Sequence, residues 1–168
     1  MKLLFLTPPM RNWVRWGSKH IACNPLHAQL ASFVREKKTA EISVLDCRAL
    51  GLDEQQMIER VREEAPDAVF LGTRLITDGG ATPIVRFMET MELLKGAFPK
   101  LVTITGGLGI SAMSKELLTL APQLDYVLLG EAEAVDARRD IGDRRLDHGL
   151  RALRVDERDL VFDLCFKL

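Results

Sequence analysis

Cysteine is scarce. Cys23, Cys47 and Cys165 are three in 168 residues, and they form no Cys-x-x-Cys pair, no zinc-type spacing and no disulfide framework. A reducing compartment, the cytoplasm, is therefore the expected location. Charge of one sign is missing as well: 23 basic and 24 acidic residues give a net charge of −1. With no overall basic field, neither nucleic acid nor an anionic membrane is an expected partner. No apolar stretch approaches the roughly 18 to 20 residues that span a bilayer. The opening run Leu3-Leu4-Phe5-Leu6 is stopped by Thr7-Pro8-Pro9 with no small-residue cleavage site behind it, so it reads as a buried strand and not a secretory signal.

Several reactive motifs are absent too. No Gly-x-Gly-x-x-Gly follows the first strand, which argues against a dinucleotide site. Thr7-Pro8-Pro9 stands where a phosphoacceptor receiver would need an acidic pair. No Ser or Cys nucleophile can be matched with a His partner.

What remains is an ordinary globular composition, 47% apolar and 28% charged, in a chain of single-domain length. Five short apolar runs, residues 2–7, 42–46, 68–72, 102–105 and 126–129, are continuous and not alternating, as in strands buried on both faces of a parallel sheet. Helical patterns separate them. Leu26, Leu30, Phe33 and Val34 share one helix face. Asp53-Glu54-Gln55-Gln56 reads as a capping box ahead of Met57, Ile58, Val61 and Ala65. Thr82-Pro83 opens a helix carrying Phe87, Met91, Leu94 and Phe98, which Pro99 stops, and Ser111 or Ser114 opens a shorter one ended by Pro122.

This alternation predicts an α/β fold: a doubly wound, five-stranded parallel sheet in the flavodoxin-like order 2-1-3-4-5. Ligands of such sheets bind outside the carboxyl ends of the strands, beside the switch point between the first and third. The functional loops are then residues 8–25, 73–82, 106–113 and 130–135. After residue 135 the character changes: residues 136–159 hold seven Arg and seven acidic residues with no helix or strand pattern, followed by a mostly apolar end. The expected division is a domain over residues 1–135 and a charged, loosely attached tail over 136–168.

Four fragments, in this order, resemble the cobalamin-binding domain of cobalamin-dependent radical S-adenosylmethionine enzymes. They are Leu3-Leu4-Phe5-Leu6-Thr7-Pro8-Pro9; Val44-Leu45-Asp46-Cys47-Arg48-Ala49-Leu50-Gly51-Leu52; Thr103-Ile104-Thr105-Gly106-Gly107; and Leu124-Asp125-Tyr126-Val127-Leu128-Leu129-Gly130-Glu131-Ala132-Glu133. In the last, Ala132 stands where the family's Gly-Glu-Gly-Glu has its second glycine. The resemblance covers residues 1 to about 135 and implies cobalamin as cofactor. It implies a site built from Thr7, Pro8, Pro9, Gly106, Gly107, Leu108, Gly109, Gly130 and Glu131. Thr73-Arg74-Leu75 takes the place of a Ser-x-Leu segment that lines the nucleotide tail in mutase-type cobalamin domains. Glycines at a strand end let backbone approach a large ligand; they equally serve a tight turn, and both readings stand.

Mutases place a His from Asp-x-His-x-x-Gly on the cobalt, but His20, His27 and His148 all lack that context. The resemblance therefore implies cobalamin held base-off with no protein His on the metal, and each His reads as a surface or packing residue. A Cys-x-x-x-Cys-x-x-Cys motif is absent, so no iron–sulfur cluster is expected here and no catalytic residue is assigned. The radical S-adenosylmethionine domain, a methyltransferase or related enzyme, is expected in cis or in trans. Trp13 and Trp16, interleaved with Arg11, Arg15, Lys19 and His20 in the long loop from Pro8 to Pro25, either cover a flat ring or pack the loop on the domain. Asp46, Asp78, Glu131 and Glu133 are the carboxylates expected near the same rim. The alternative function is an interaction or small-ligand-binding protein that kept the fold and lost cobalamin. A small hydrolase or transferase ranks behind it for want of a catalytic constellation.

Overall fold

Strands form one sheet, and helices between them pack on its two faces. The computed structural model describes residues 1–9, 25–37, 40–72, 82–106, 110, 114–129, 144–145 and 151–154. Strands β1 (Lys2–Thr7), β2 (Glu41–Asp46), β3 (Ala68–Gly72), β4 (Val102–Gly106) and β5 (Tyr126–Leu129) run parallel in the order 2-1-3-4-5. The expected fold class is therefore observed. Helices α1 (Pro25–Lys37), α2 (Cys47–Leu50), α3 (Glu54–Glu64), α4 (Thr82–Ala97) and α5 (Ser114–Leu120) connect them.

Alternate strand residues face opposite sides. On one side Leu4, Leu6, Val69, Leu71 and Val127 pack with Met57 and Val61 of α3, Phe87, Met91 and Leu94 of α4, and Leu117 and Leu118 of α5. On the other, Leu3, Phe5, Ala68, Phe70 and Ile104 meet Leu30 and Ala31 of α1. Beyond α1 on this second face, Val102, Tyr126 and Leu128 are only half-buried among the described residues.

The capping box forms as read: Asp53 Oδ1 accepts from the Gln56 amide at 2.8 Å, and Gln56 Oε1 accepts from the Asp53 amide at 3.0 Å. Two local features differ from the sequence reading. Helix α2 was not anticipated; Asp46 nucleates it by accepting from the Ala49 amide at 3.0 Å, a capping bond that needs only one turn of chain. The buried stripe of α1 is also rotated. It runs His27, Leu30, Ala31, Val34, while Phe33 is 38% exposed. A polar residue, His27, thus belongs to the buried stripe, and Phe33 lies outside it.

The tail is a further correction. No strand was expected after residue 135, yet β7 (Arg151–Arg154) pairs parallel with β5, and β6 (Arg144–Arg145) pairs antiparallel with β7. Among the described residues the sheet therefore has seven strands, ordered 2-1-3-4-5-7-6. Ladder bonds are made by backbone groups, so a short Arg-rich segment can complete the open edge of β5 without the apolar pattern that reveals a core strand.

Candidate functional site

The carboxyl ends of β1, β3 and β4 are Thr7, Gly72 and Gly106, and they share one rim. Gly72 lies in register with Gly106, and Gly106 with Leu128 of β5. Neither glycine is a vacancy within the protein. A Cβ on Gly72 would lie 2.8 Å from His27 Nε2 and 3.0 Å from Phe70 Cε1; one on Gly106 would lie 2.9 Å from Leu128 Cβ. Both glycines are therefore required by neighbouring side chains on the α1 face.

His27 ties this rim together. It is 3% exposed, in the first turns of α1, with its ring against Phe5 and Phe70 at centroid distances of 5.7 and 5.9 Å. The Gly72 amide donates to Nε2 at 3.2 Å. A backbone N–H can only donate, so Nε2 carries no proton and Nδ1 carries it, facing Thr7 Oγ1 at 3.4 Å. Burial lowers the imidazole pKa from 6.5 to about 4, against a smaller opposing pull from Asp46, so the ring is neutral near pH 7. Next along β4, Thr105 Oγ1 donates to the Leu71 carbonyl at 2.6 Å and stitches β3 to β4 just below the rim.

The other expected residues divide between rim and elsewhere. Pro8 is half-buried and Pro9 buried; Pro9 lines a groove of about 820 Å³ with Glu54, Ile58, Arg86 and Leu93, on the side of α3 and α4. Asp46 stands at the end of β2 with its carboxylate turned back to cap α2. Thr73, Arg74, Leu75, Gly107, Leu108, Gly109, Gly130 and Glu131 lie outside the described residues, as do Trp13, Trp16, Asp78 and Glu133. The first three follow Gly72 directly, and Gly107 follows Gly106, so both segments depart from the same rim. Cys47 is buried, and burial first, then Asp46, pushes its thiol up to about 12; it stays protonated and is a poor nucleophile or ligand near neutral pH.

Asp125, part of the Asp-Tyr-Val fragment, works at the opposite edge. Its Oδ2 accepts from Lys95 Nζ at 2.6 Å and from the Thr103 amide at 2.8 Å, joining α4, β4 and β5 at the amino ends of the strands. That piece of the resemblance is architectural. His27 and Gly72 were the residues sequence reading missed. The signal for His27 was its spacing of three, four and seven to Leu30, Ala31 and Val34.

In a parallel sheet of this order, ligands bind outside the carboxyl ends of the strands, beside the switch point. The pattern of the B12 binding domain matches residues 26–138 of the sequence. The chain belongs to the B12-binding domain family. Two curated relatives are similar to this B12-binding domain, both named anaerobic magnesium-protoporphyrin IX monomethyl ester cyclase. The protein from Rubrivivax gelatinosus is 28% identical over 161 residues, covering 89% of this chain and 27% of the relative. The one from Synechocystis sp. is 29% identical over 98 residues, covering 58% and 19%. The chain thus spans about a quarter of the first relative's length and a fifth of the second's.

The residues present fit cobalamin in kind. Val102, Tyr126 and Leu128 give a half-buried apolar shelf on the α1 face, and the strand ends Gly72 and Gly106 lie on the same side of the sheet. Among the described residues no group of three His, Cys, Asp or Glu side chains is placed to hold a metal ion. No helix among them is long and apolar enough to cross a membrane.

Proposed function

We propose that this B12-binding domain is the cobalamin-holding module of a cobalamin-dependent radical S-adenosylmethionine enzyme whose catalytic domain acts in cis or in trans in the cytoplasm. The observation that carries it is the family match over residues 26–138, which takes in the loops that leave β2, β3, β4 and β5. In this reading Gly106, Gly107, Leu108 and Gly109 and the segment Thr73-Arg74-Leu75 flank the nucleotide tail. Thr7, Pro8, Pro9, Gly130 and Glu131 border the ring. Bound cobalamin would supply a cobalt centre for methyl transfer or for tuning radical chemistry on the partner domain. This chain's residues bind and orient the cofactor and exclude water from one face of it.

The cofactor is held base-off with no His on cobalt. No His stands in Asp-x-His-x-x-Gly, and both ring nitrogens of His27 are engaged with Gly72 and Thr7. Electron paramagnetic resonance of the cob(II)alamin complex is expected to show no superhyperfine splitting from an axial nitrogen. Observed nitrogen splitting would contradict the reading.

Residues 1–135 are proposed as the unit that folds. Both core clusters lie between Leu3 and Leu128, and β7 joins through the ladder of β5. A chain ending at residue 135 is expected to unfold cooperatively and to keep the far-ultraviolet spectrum of a mixed α/β domain. Non-cooperative melting would show that the added strands are essential.

The second reading, a binding protein that lost its cofactor, has one observation on its side. Gly72 and Gly106 are each accounted for by an internal neighbour, so neither requires a ligand.

A further inference from the structure

The switch point of this sheet is held by a side chain. His27 sits in the first turns of α1, and its ring spans the two strands that diverge there, with Nε2 on the Gly72 amide of β3 and Nδ1 beside Thr7 of β1. It fills the space that any Cβ on Gly72 would need. Phe5 and Phe70 fix the ring plane from the sheet. Packing alone would be served by an apolar side chain. An imidazole buried at 3% exposure forfeits hydration and is retained here with both nitrogens directed at strand ends. The amide it holds belongs to the residue immediately before Thr73-Arg74-Leu75, and the hydroxyl it faces belongs to the residue immediately before Pro8-Pro9.

We infer that His27 is a positioning residue for the cofactor site: through the Gly72 amide and the Thr7 hydroxyl it fixes the carboxyl ends of β3 and β1, the strand ends at which cobalamin is proposed to bind. The inference rests on the cobalamin-binding reading. His27 does not touch the cofactor; it acts through backbone at two strand ends, as supporting groups do in preorganised sites.

The test is hydroxocobalamin binding, followed by visible absorbance, for the parent chain and two variants. His27→Phe keeps a ring against Phe5 and Phe70 but removes both hydrogen bonds, and is expected to weaken binding about tenfold or more. His27→Gln keeps an acceptor within reach of the Gly72 amide and is expected to recover most of that loss. A purely packing role predicts the reverse order, with Phe tolerated and Gln not, and that order overturns the inference. Parent-like binding by His27→Phe overturns it while leaving the cobalamin reading intact; no binding by the parent overturns both. Should His27→Phe not fold, hydrogen exchange at the Gly72 amide of the parent decides. Protection in the cofactor-free protein supports the latch, and exchange at the rate of an open loop contradicts it.

Discussion

Acidification from pH 7 to about pH 4 is expected to cost the folded domain about 3 kcal/mol through His27 alone. Burial lowers this imidazole from 6.5 to about 4, so between those values the unfolded chain binds a proton that the folded one refuses. Stability therefore rises with pH across that window and falls as pH drops through it. The structural reason is direct. Once protonated, Nε2 is a donor facing the Gly72 N–H, the bond at 3.2 Å is lost, and a charge is left among Phe5 and Phe70. Against a typical domain stability of about 5–15 kcal/mol, this is a large share. Urea denaturation at a series of pH values measures it, with His27→Gln as the comparison. The parent should lose its extra stability between pH 6.5 and about 4, and the difference between the two proteins should carry that slope. Parallel curves would show that the ring is not buried as a neutral acceptor.

A leucine at Gly107 is expected to weaken cobalamin binding by about tenfold or more, since the loss of even about 1.4 kcal/mol is that factor. Gly107 follows Gly106 at the rim where the nucleotide tail is proposed to lie. The neighbouring glycine is the necessary contrast. Gly106→Ala brings a Cβ to 2.9 Å from Leu128 and is expected to destabilise the domain by about 1–3 kcal/mol with or without ligand. Thr73→Val removes one hydroxyl from the other proposed wall at nearly constant volume. Equilibrium titration with thermal melts alongside separates the effects. A folded Gly107→Leu protein that binds as tightly as the parent would put the tail elsewhere and leave the interaction-protein reading ahead.

The central strands β1, β3 and β4 were legible because strands buried on both faces announce themselves as unbroken apolar runs, and Asp53, Gln56 and Pro99 marked helix ends by local chemistry; β2, read the same way, is an edge strand with Val44 56% exposed. The β6 and β7 additions were not legible, because backbone pairing at an edge leaves no side-chain signature in segments as short as Arg144–Arg145. The candidate site was legible as an edge of the sheet and less so as residues. The glycine pair Gly106-Gly107 was read as one feature, yet Leu128 accounts for the first by itself. Asp125, read as part of a family fragment, serves the opposite edge. His27 was set aside for lacking the context of a cobalt ligand, and its actual partners, Thr7 and Gly72, lie 20 and 45 residues away along the chain. Pairings of that separation follow from the fold and cannot be read from spacing.

The central claim is that this B12-binding domain holds cobalamin, and mixing the purified chain with hydroxocobalamin tests it most directly. After gel filtration, the protein peak should carry the cofactor's visible absorbance, with bands shifted from those of the free compound as the lower base is released. Cobalamin that elutes apart from the protein with an unchanged spectrum would contradict the account.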